Sequence, residues 1–239
     1  MACSGVIGLW AVGFYVPDLT RQVQTKPVTA AVYAAEIEAA KAAGDTVRVA
    51  ALQEVQQAVN TNAVEGLSAE LQAVKKTVDP KIKGRLTYYQ SFSSIAINIG
   101  AFCGMFGFGA LSQRIGRKPT FAMALVAAFV STVTVFWTLQ DLWQIFVLVP
   151  IMGFCQLSLF GGYAVYFPEL FPTRLRSTGV SFCYNVGRFV AAVGPLVKLW
   201  LNEVFKETPE PLRYAGVTMC LVFLVGLVVL PFLPETQGK

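Results

Sequence analysis

Gly109-Ala-Leu-Ser-Gln-Arg-Ile-Gly-Arg-Lys-Pro119 is a short basic stretch held between two long apolar runs. A soluble core has no comfortable place for so much charge so closely flanked. Two apolar helices joined by a glycine-containing turn that carries Arg114, Arg117 and Lys118 read as a membrane hairpin with its loop in the cytoplasm.

Composition points the same way. Of 239 residues, 55% are hydrophobic and 14% charged, against about a quarter charged in ordinary soluble domains. The net charge of +5 does not indicate nucleic acid, because the basic residues are scattered or sit at helix ends, without interleaved aromatics. Histidine is absent, which removes histidine bases, histidine metal ligands and the usual nucleophilic triads. Cys3, Cys103, Cys155, Cys183 and Cys220 all fall in apolar runs without metal-ligand spacing and read as small packing residues. No motif implies a cofactor, a metal or an enzyme.

Residues 1–17 form an apolar run slightly short of a full span, beginning without a polar flank and lacking the features of a secretory signal. The expectation is a transmembrane helix clipped at its start, in a chain that is a fragment. Residues 18–87 change character: they hold about half of the chain's charge, mixed in sign, and are rich in helix formers. Leu52, Val55 and Val59, then Leu67, Leu71, Val74 and Val78, recur at helical spacing. Gly44 interrupts the run, and Asp45 and Asn62 precede helix starts. Two or three short amphipathic helices are expected, as a water-exposed cap rather than a membrane-surface layer, because their polar positions carry both signs.

Five further apolar runs follow, at about 88–111, 119–138, 142–167, 178–201 and 213–233. Segment 88–239 therefore reads as five spans with short loops, making six with the first run. Arg114, Arg117, Lys118, Arg174, Arg176 and Lys239 fall on one side, and only Lys206 and Arg213 on the other. The positive-inside rule then puts both termini in the cytoplasm and the 18–87 cap outside a plasma or inner membrane.

An internal repeat fits this plan. Tyr15-Val-Pro-Asp-Leu19 closes the first run and Tyr166-Phe-Pro-Glu-Leu170 the fourth, while Asn98-Ile-Gly-Ala-Phe102 in the second matches Asn185-Val-Gly-Arg-Phe189 in the fifth. With three helices per copy the second copy is inverted, the plan of many secondary transporters. The fold class expected is all-α and membrane-integral: two inverted three-helix repeats with a helical extramembrane insertion between the first two spans.

Residues 109–119 resemble the loop signature of the major facilitator superfamily, through Gly109, Leu111, Arg114, Gly116, Arg117 and Lys118. Tyr166-Phe-Pro-Glu-Leu-Phe-Pro-Thr-Arg-Leu-Arg-Ser-Thr-Gly179 resembles the Pro-Glu-x-x-Pro loop of its sugar-porter and metabolite-transporter branch, and Pro234-Glu-Thr-Gln-Gly-Lys239 that branch's C-terminal motif. The resemblance implies the C-terminal six-helix half of a twelve-helix transporter, with an N-terminal half on the same or a separate chain, moving a small polar solute such as a sugar or organic acid by alternating access. Gln113 stands where the family's loop has aspartate, so the charge pair that carboxylate makes is lost. The cap is outside the family pattern.

A cytoplasmic cluster of Glu169, Arg174, Arg176, Arg114, Arg117 and Glu235 is the candidate latch of a rocking transporter, against the plainer reading of topology determinants and headgroup contacts. Arg188 lies near the middle of the fifth span, where a cation is costly and faces a cavity, a partner or the interface. No Asp, Glu or His lies at that depth, so its partner is water, backbone, a carboxylate of the other half or an anionic solute; Lys198 is expected to snorkel. Cavity-lining candidates are Tyr15, Tyr89, Gln90, Asn98, Gln156, Tyr163, Tyr184 and Asn185, each with helix-helix hydrogen bonding as its alternative. The rival reading is a non-transporting, truncated or split membrane protein acting as scaffold or interaction module, with a self-associating six-helix channel as a third.

Overall fold

The computed structural model describes residues 2–9, 13–61 and 63–236. Its helices are α1 (Ala2–Ile7), α2 (Val16–Ala42), α3 (Thr46–Asn60), α4 (Ala69–Ile115), α5 (Arg117–Thr138), α6 (Leu142–Leu170), α7 (Arg176–Ala191), α8 (Gly194–Val204) and α9 (Pro211–Val229). Short 3-10 turns occupy Gly13–Tyr15, Val64–Gly66 and Leu230–Phe232. No strand occurs among the described residues. The chain divides into two compact units, Arg21–Ser91 and Met1–Thr20 with Phe92–Lys239.

The Arg21–Ser91 unit is built on its own small core. Val28, Val32, Tyr33, Ile37 and Ala40 of α2 are buried with Leu52 and Val55 of α3 and with Val78 and Leu86 of α4. Their spacing is the helical period seen in the sequence, one apolar stripe per helix. Gly44 adopts φ +73°, closing α2, and the Asp45 carboxylate accepts from Arg48 N at 2.9 Å to start α3. The start signal read at Asn62 lies outside the described residues. Burial, with Asp79 adding to it, pushes the Tyr33 hydroxyl above its ordinary pKa, and that hydroxyl has no hydrogen-bond partner among the described residues.

The helices here are longer than expected. Helix α2 begins at Val16 and passes through Pro27, and α4 runs unbroken to Ile115 through Pro80, erasing the helix boundary read near residue 87. Pro80 is exposed, so the carbonyl its ring leaves unpaired faces solvent, and one glycine at position 84 costs only about 1 kcal/mol.

Among the described residues, five helical stretches are long and apolar enough to cross a membrane: Ala69–Ile115, Arg117–Thr138, Leu142–Leu170, Arg176–Val204 and Pro211–Phe232. The span expected at 1–17 is not among them. Helix α1 has six residues, Gly13–Tyr15 is a 3-10 turn, and Trp10, Ala11 and Val12 lie outside the described residues. The fifth run is not one helix either. It breaks at Ala192–Val193, where Pro195 supplies no N–H and its ring would collide with the Ala191 carbonyl of a continuous helix.

Glycines set the closest helix approaches. A methyl group built on Gly100 would stand 1.9 Å from the Pro150 carbonyl oxygen, one on Gly104 2.2 Å from that of Phe154, and one on Gly153 2.1 Å from that of Ile97. Helices α4 and α6 therefore touch backbone to backbone, as small residues permit in membranes. Gly100→Leu should wedge them apart and sharply lower the recovery of monodisperse chain from membranes, measured by fluorescence-detected size exclusion. Tyr33→Phe removes an unpaired buried hydroxyl and should raise cap stability by about 1 kcal/mol, read from thermal unfolding.

Candidate functional site

Helix α5 starts with Gly116 as N-cap at φ 101°, ψ 166°, a backbone region open essentially to glycine alone. Its first turn holds Arg117 and Lys118 and no acid, the opposite of what the positive end of a helix dipole favours. Glu235 supplies the missing anion from across the sequence. Its two carboxylate oxygens accept the backbone N–H groups of Arg117 and Lys118, each at 3.0 Å. The Lys118 ammonium donates to the Pro231 carbonyl at 3.0 Å, and the Tyr166 hydroxyl to that of Pro234 at 2.7 Å, so the tail around Glu235 is pinned.

The Arg117 guanidinium grips Glu169, at the end of α6, with two donors: Nη2 to Oε1 at 2.8 Å and Nε to Oε2 at 3.2 Å. Its Nη1 donates to the last turn of α4, to Ser112 O at 2.9 Å and Ser112 Oγ at 3.3 Å. The Thr236 hydroxyl also donates to Glu169. One guanidinium thus ties the ends of α4 and α6 to the start of α5. Of the six charges read as a latch, the fold joins Arg117, Glu169 and Glu235. Arg114, Arg174 and Arg176 are exposed and stand outside this network, and Gln113 is exposed beside it.

The other end of α5 is held just as firmly, by a residue the sequence reading counted only as an outer-loop cation. Arg213 is 4% exposed. Its Nη1 donates to Phe136 O at 2.7 Å and Trp137 O at 3.0 Å, its Nη2 to Leu139 O at 2.6 Å, and its Nε lies 2.7 Å from Glu210 Oε2. A guanidinium fork here saturates the open carbonyls and offsets the negative end of the α5 dipole. The signal available in sequence was an arginine two residues after Pro211, in the first turn of an apolar helix.

Arg188 sits in the last turn of α7, just before the break and near the middle of the Arg176–Val204 stretch. It is exposed, and its guanidinium makes no ion pair or hydrogen bond with another described residue. With Ala191, Ala192 and Pro195 it lines an open hollow of about 500 Å³. Asn185, one turn before, is exposed and donates to Ser181 Oγ at 3.2 Å. Tyr184 is half-buried, its ring 5.4 Å from Phe167 and 6.4 Å from Tyr163.

The remaining candidates separate. Tyr163 is fully buried, stacked on Phe167 at 4.9 Å, and Gln156 is buried with its Nε2 on Thr132 Oγ1 at 2.7 Å, so both pack between helices. Asn98 is exposed and donates to Ser94 O at 2.7 Å in its own helix. Tyr89 and Gln90 belong to the Arg21–Ser91 unit, where Tyr89 packs on the cap core. Tyr15 is buried beneath the Lys198 ammonium, 3.7 Å from its ring centroid, and Lys198 pairs with Asp18 at 2.9 Å.

Residues 83–239 match the family model of the Major Facilitator Superfamily. The chain belongs to this superfamily. It is 34% identical over 140 residues to a probable 4-methylmuconolactone transporter of Cupriavidus pinatubonensis, a match covering 58% of this chain and 32% of that protein. It is 33% identical over 147 residues to a glycine betaine/proline/ectoine/pipecolic acid transporter of Dickeya dadantii, covering 61% and 28%. A cis,cis-muconate transport protein of Acinetobacter baylyi is 36% identical over 88 residues, covering 36% and 21%. The matches thus span about a third or less of these relatives' lengths. Among solved structures, a double tryptophan mutant of XylE shares the fold with a TM-score of 0.52 at 18% identity, over 98% of this chain and 44% of that one. This superfamily chain is membrane-integral and non-enzymatic.

Arg213→Ala leaves buried carbonyls without a donor and should cost about 2–4 kcal/mol in thermal stability of the detergent-purified chain. Glu235→Gln keeps one acceptor but loses the charge and should cost about 1 kcal/mol in the same assay.

Proposed function

We propose that the chain is the C-terminal six-helix half of a twelve-helix secondary transporter that moves a small organic carboxylate by alternating access. The observation that carries this reading is Arg188, a cation with no ion pair or hydrogen bond to another described residue, lining a hollow at a break in a membrane-length stretch. Broken spans and unpaired intramembrane cations are features of solute sites. The solutes in the relatives' names, muconate, methylmuconolactone, betaine and proline, share a carboxylate, the group a guanidinium binds in a fork. A carboxylate therefore fits Arg188 better than a sugar does.

Support for the inverted repeat comes from the matched glycines. Gly100 of the second run seats against Pro150 of the fourth, and Gly187 of the fifth against Val6 of the first, as exchange of the two triplets requires. The Arg117–Glu169–Glu235 network then serves as the cytoplasmic latch, with both termini on that side and the 18–87 cap outside. If transport is proton-coupled, the carrier is in the N-terminal half, since the spans here offer no carboxylate or histidine at depth.

The test is uptake by cells expressing the chain together with the coding region immediately upstream, using labelled cis,cis-muconate and glycine betaine. Arg188→Ala should lower uptake at least about a hundredfold, the scale of a lost charge-assisted pair, with membrane insertion unchanged. Arg188→Lys should retain part of it. Uptake unchanged in Arg188→Ala removes this residue from the site.

A further inference from the structure

The cap sorts its charge by sequence region. Glu36, Glu38, Asp45, Glu54, Glu65 and Glu70 occupy its middle with two cations, Lys41 and Arg48, while Arg21 and Lys26 open it and Lys75, Lys76, Lys81, Lys83 and Arg85 close it, with Asp79 the acid among them. Lys75 is neutralised by Asp79 at 2.6 Å, and Lys81 by Glu36. Arg21, Lys76 and Lys83 are exposed, have no ion pair among the described residues, and line one open hollow of about 480 Å³ together with Pro80, Ile82, Leu86 and Asp79, whose carboxylate is already paired with Lys75.

Opening and closing segments both lead directly into apolar sequence. Lys83 precedes the exposed Tyr88 by five residues on one unbroken helix, about 8 Å of rise, and beyond it α4 becomes apolar. Cations beside the start of an apolar helical stretch are placed to meet lipid phosphates, and each such cation contributes about 1 kcal/mol to binding an anionic surface. Tyrosine at this boundary is the usual interfacial anchor.

We infer that the basic end of the cap is a docking face for anionic phospholipid headgroups, the phosphate seated among Arg21, Lys76 and Lys83 and the glycerol backbone against Ile82. The role is separate from solute binding at Arg188, and a transport defect leaves it untouched.

The test titrates the full detergent-purified chain with phosphatidylglycerol and phosphatidylcholine and counts retained lipid by native mass spectrometry. Phosphatidylglycerol should be retained in preference, less so as salt is raised. Arg21→Gln/Lys76→Gln/Lys83→Gln together should reduce that preference roughly tenfold to a hundredfold, and Lys76→Gln or Lys83→Gln alone about fivefold. Lys41→Gln/Arg48→Gln, in the cap's middle, should leave it unchanged. The single variants read out the effect if the triple variant loses helicity. Equal retention of both lipids by the natural chain, or undiminished preference in the single and triple variants, overturns the inference. Displacement of phosphatidylglycerol by millimolar inorganic phosphate, with no acyl dependence, also overturns it in favour of a free-phosphate site.

Discussion

Helix α5 contains no acid in its first turn and no base in its last, so neither end of its dipole is compensated from within. Both corrections come from the C-terminal segment. Arg213, at the start of α9, donates to the carbonyls at the end of α5, and Glu235, just beyond α9, accepts the N–H groups at its beginning. The two helices are therefore clamped antiparallel by a charge at each end, in surroundings where an unsatisfied backbone group costs several kcal/mol. Close side-chain packing fills the interval: Gly216 leaves room for the Phe136 ring, and Gly226 for Ser4 and Leu125.

Once α5 and α9 are fixed, Arg117 carries the order onward to α4 and α6 through Ser112 and Glu169. What this arrangement leaves unclamped is the Arg176–Val204 stretch, where Phe182, Phe189, Leu196 and Trp200 stand exposed and Pro195 breaks the helix. A clamped bundle beside one broken, open stretch fits the proposed function, in which the clamp would keep the unit intact during rocking and the break would hold the residues proposed to meet solute.

Much of this was legible in sequence because membranes impose coarse rules. Apolar run length located four of the five stretches long enough to span to within a few residues, and three family motifs placed Arg117, Glu169 and Glu235 at helix ends. What escaped has specific causes. Arg213 looked like an ordinary outer-loop cation, because its value lies in carbonyls more than seventy residues away in the chain. Periodicity counts apolar residues and is blind to one missing N–H, so Pro195 did not register as a break. Continuity of α4 through residue 87 was hidden by a change in composition that altered the helix's surroundings without ending the helix, so the packing of Tyr89 on the cap core did not show. Lys198 was read alone, although Asp18 and Tyr15 lie almost the length of the chain away.

The decisive question is whether the α7–α8 break faces water and solute or lipid. It is answered by Ala192→Cys in the reunited transporter, with Cys3, Cys103, Cys155, Cys183 and Cys220 replaced, labelled by a membrane-impermeant maleimide. A carboxylate site at Arg188 requires labelling from the aqueous phase that slows when cis,cis-muconate or glycine betaine is added. Labelling only by a lipid-soluble maleimide, at a rate indifferent to either solute, would contradict it.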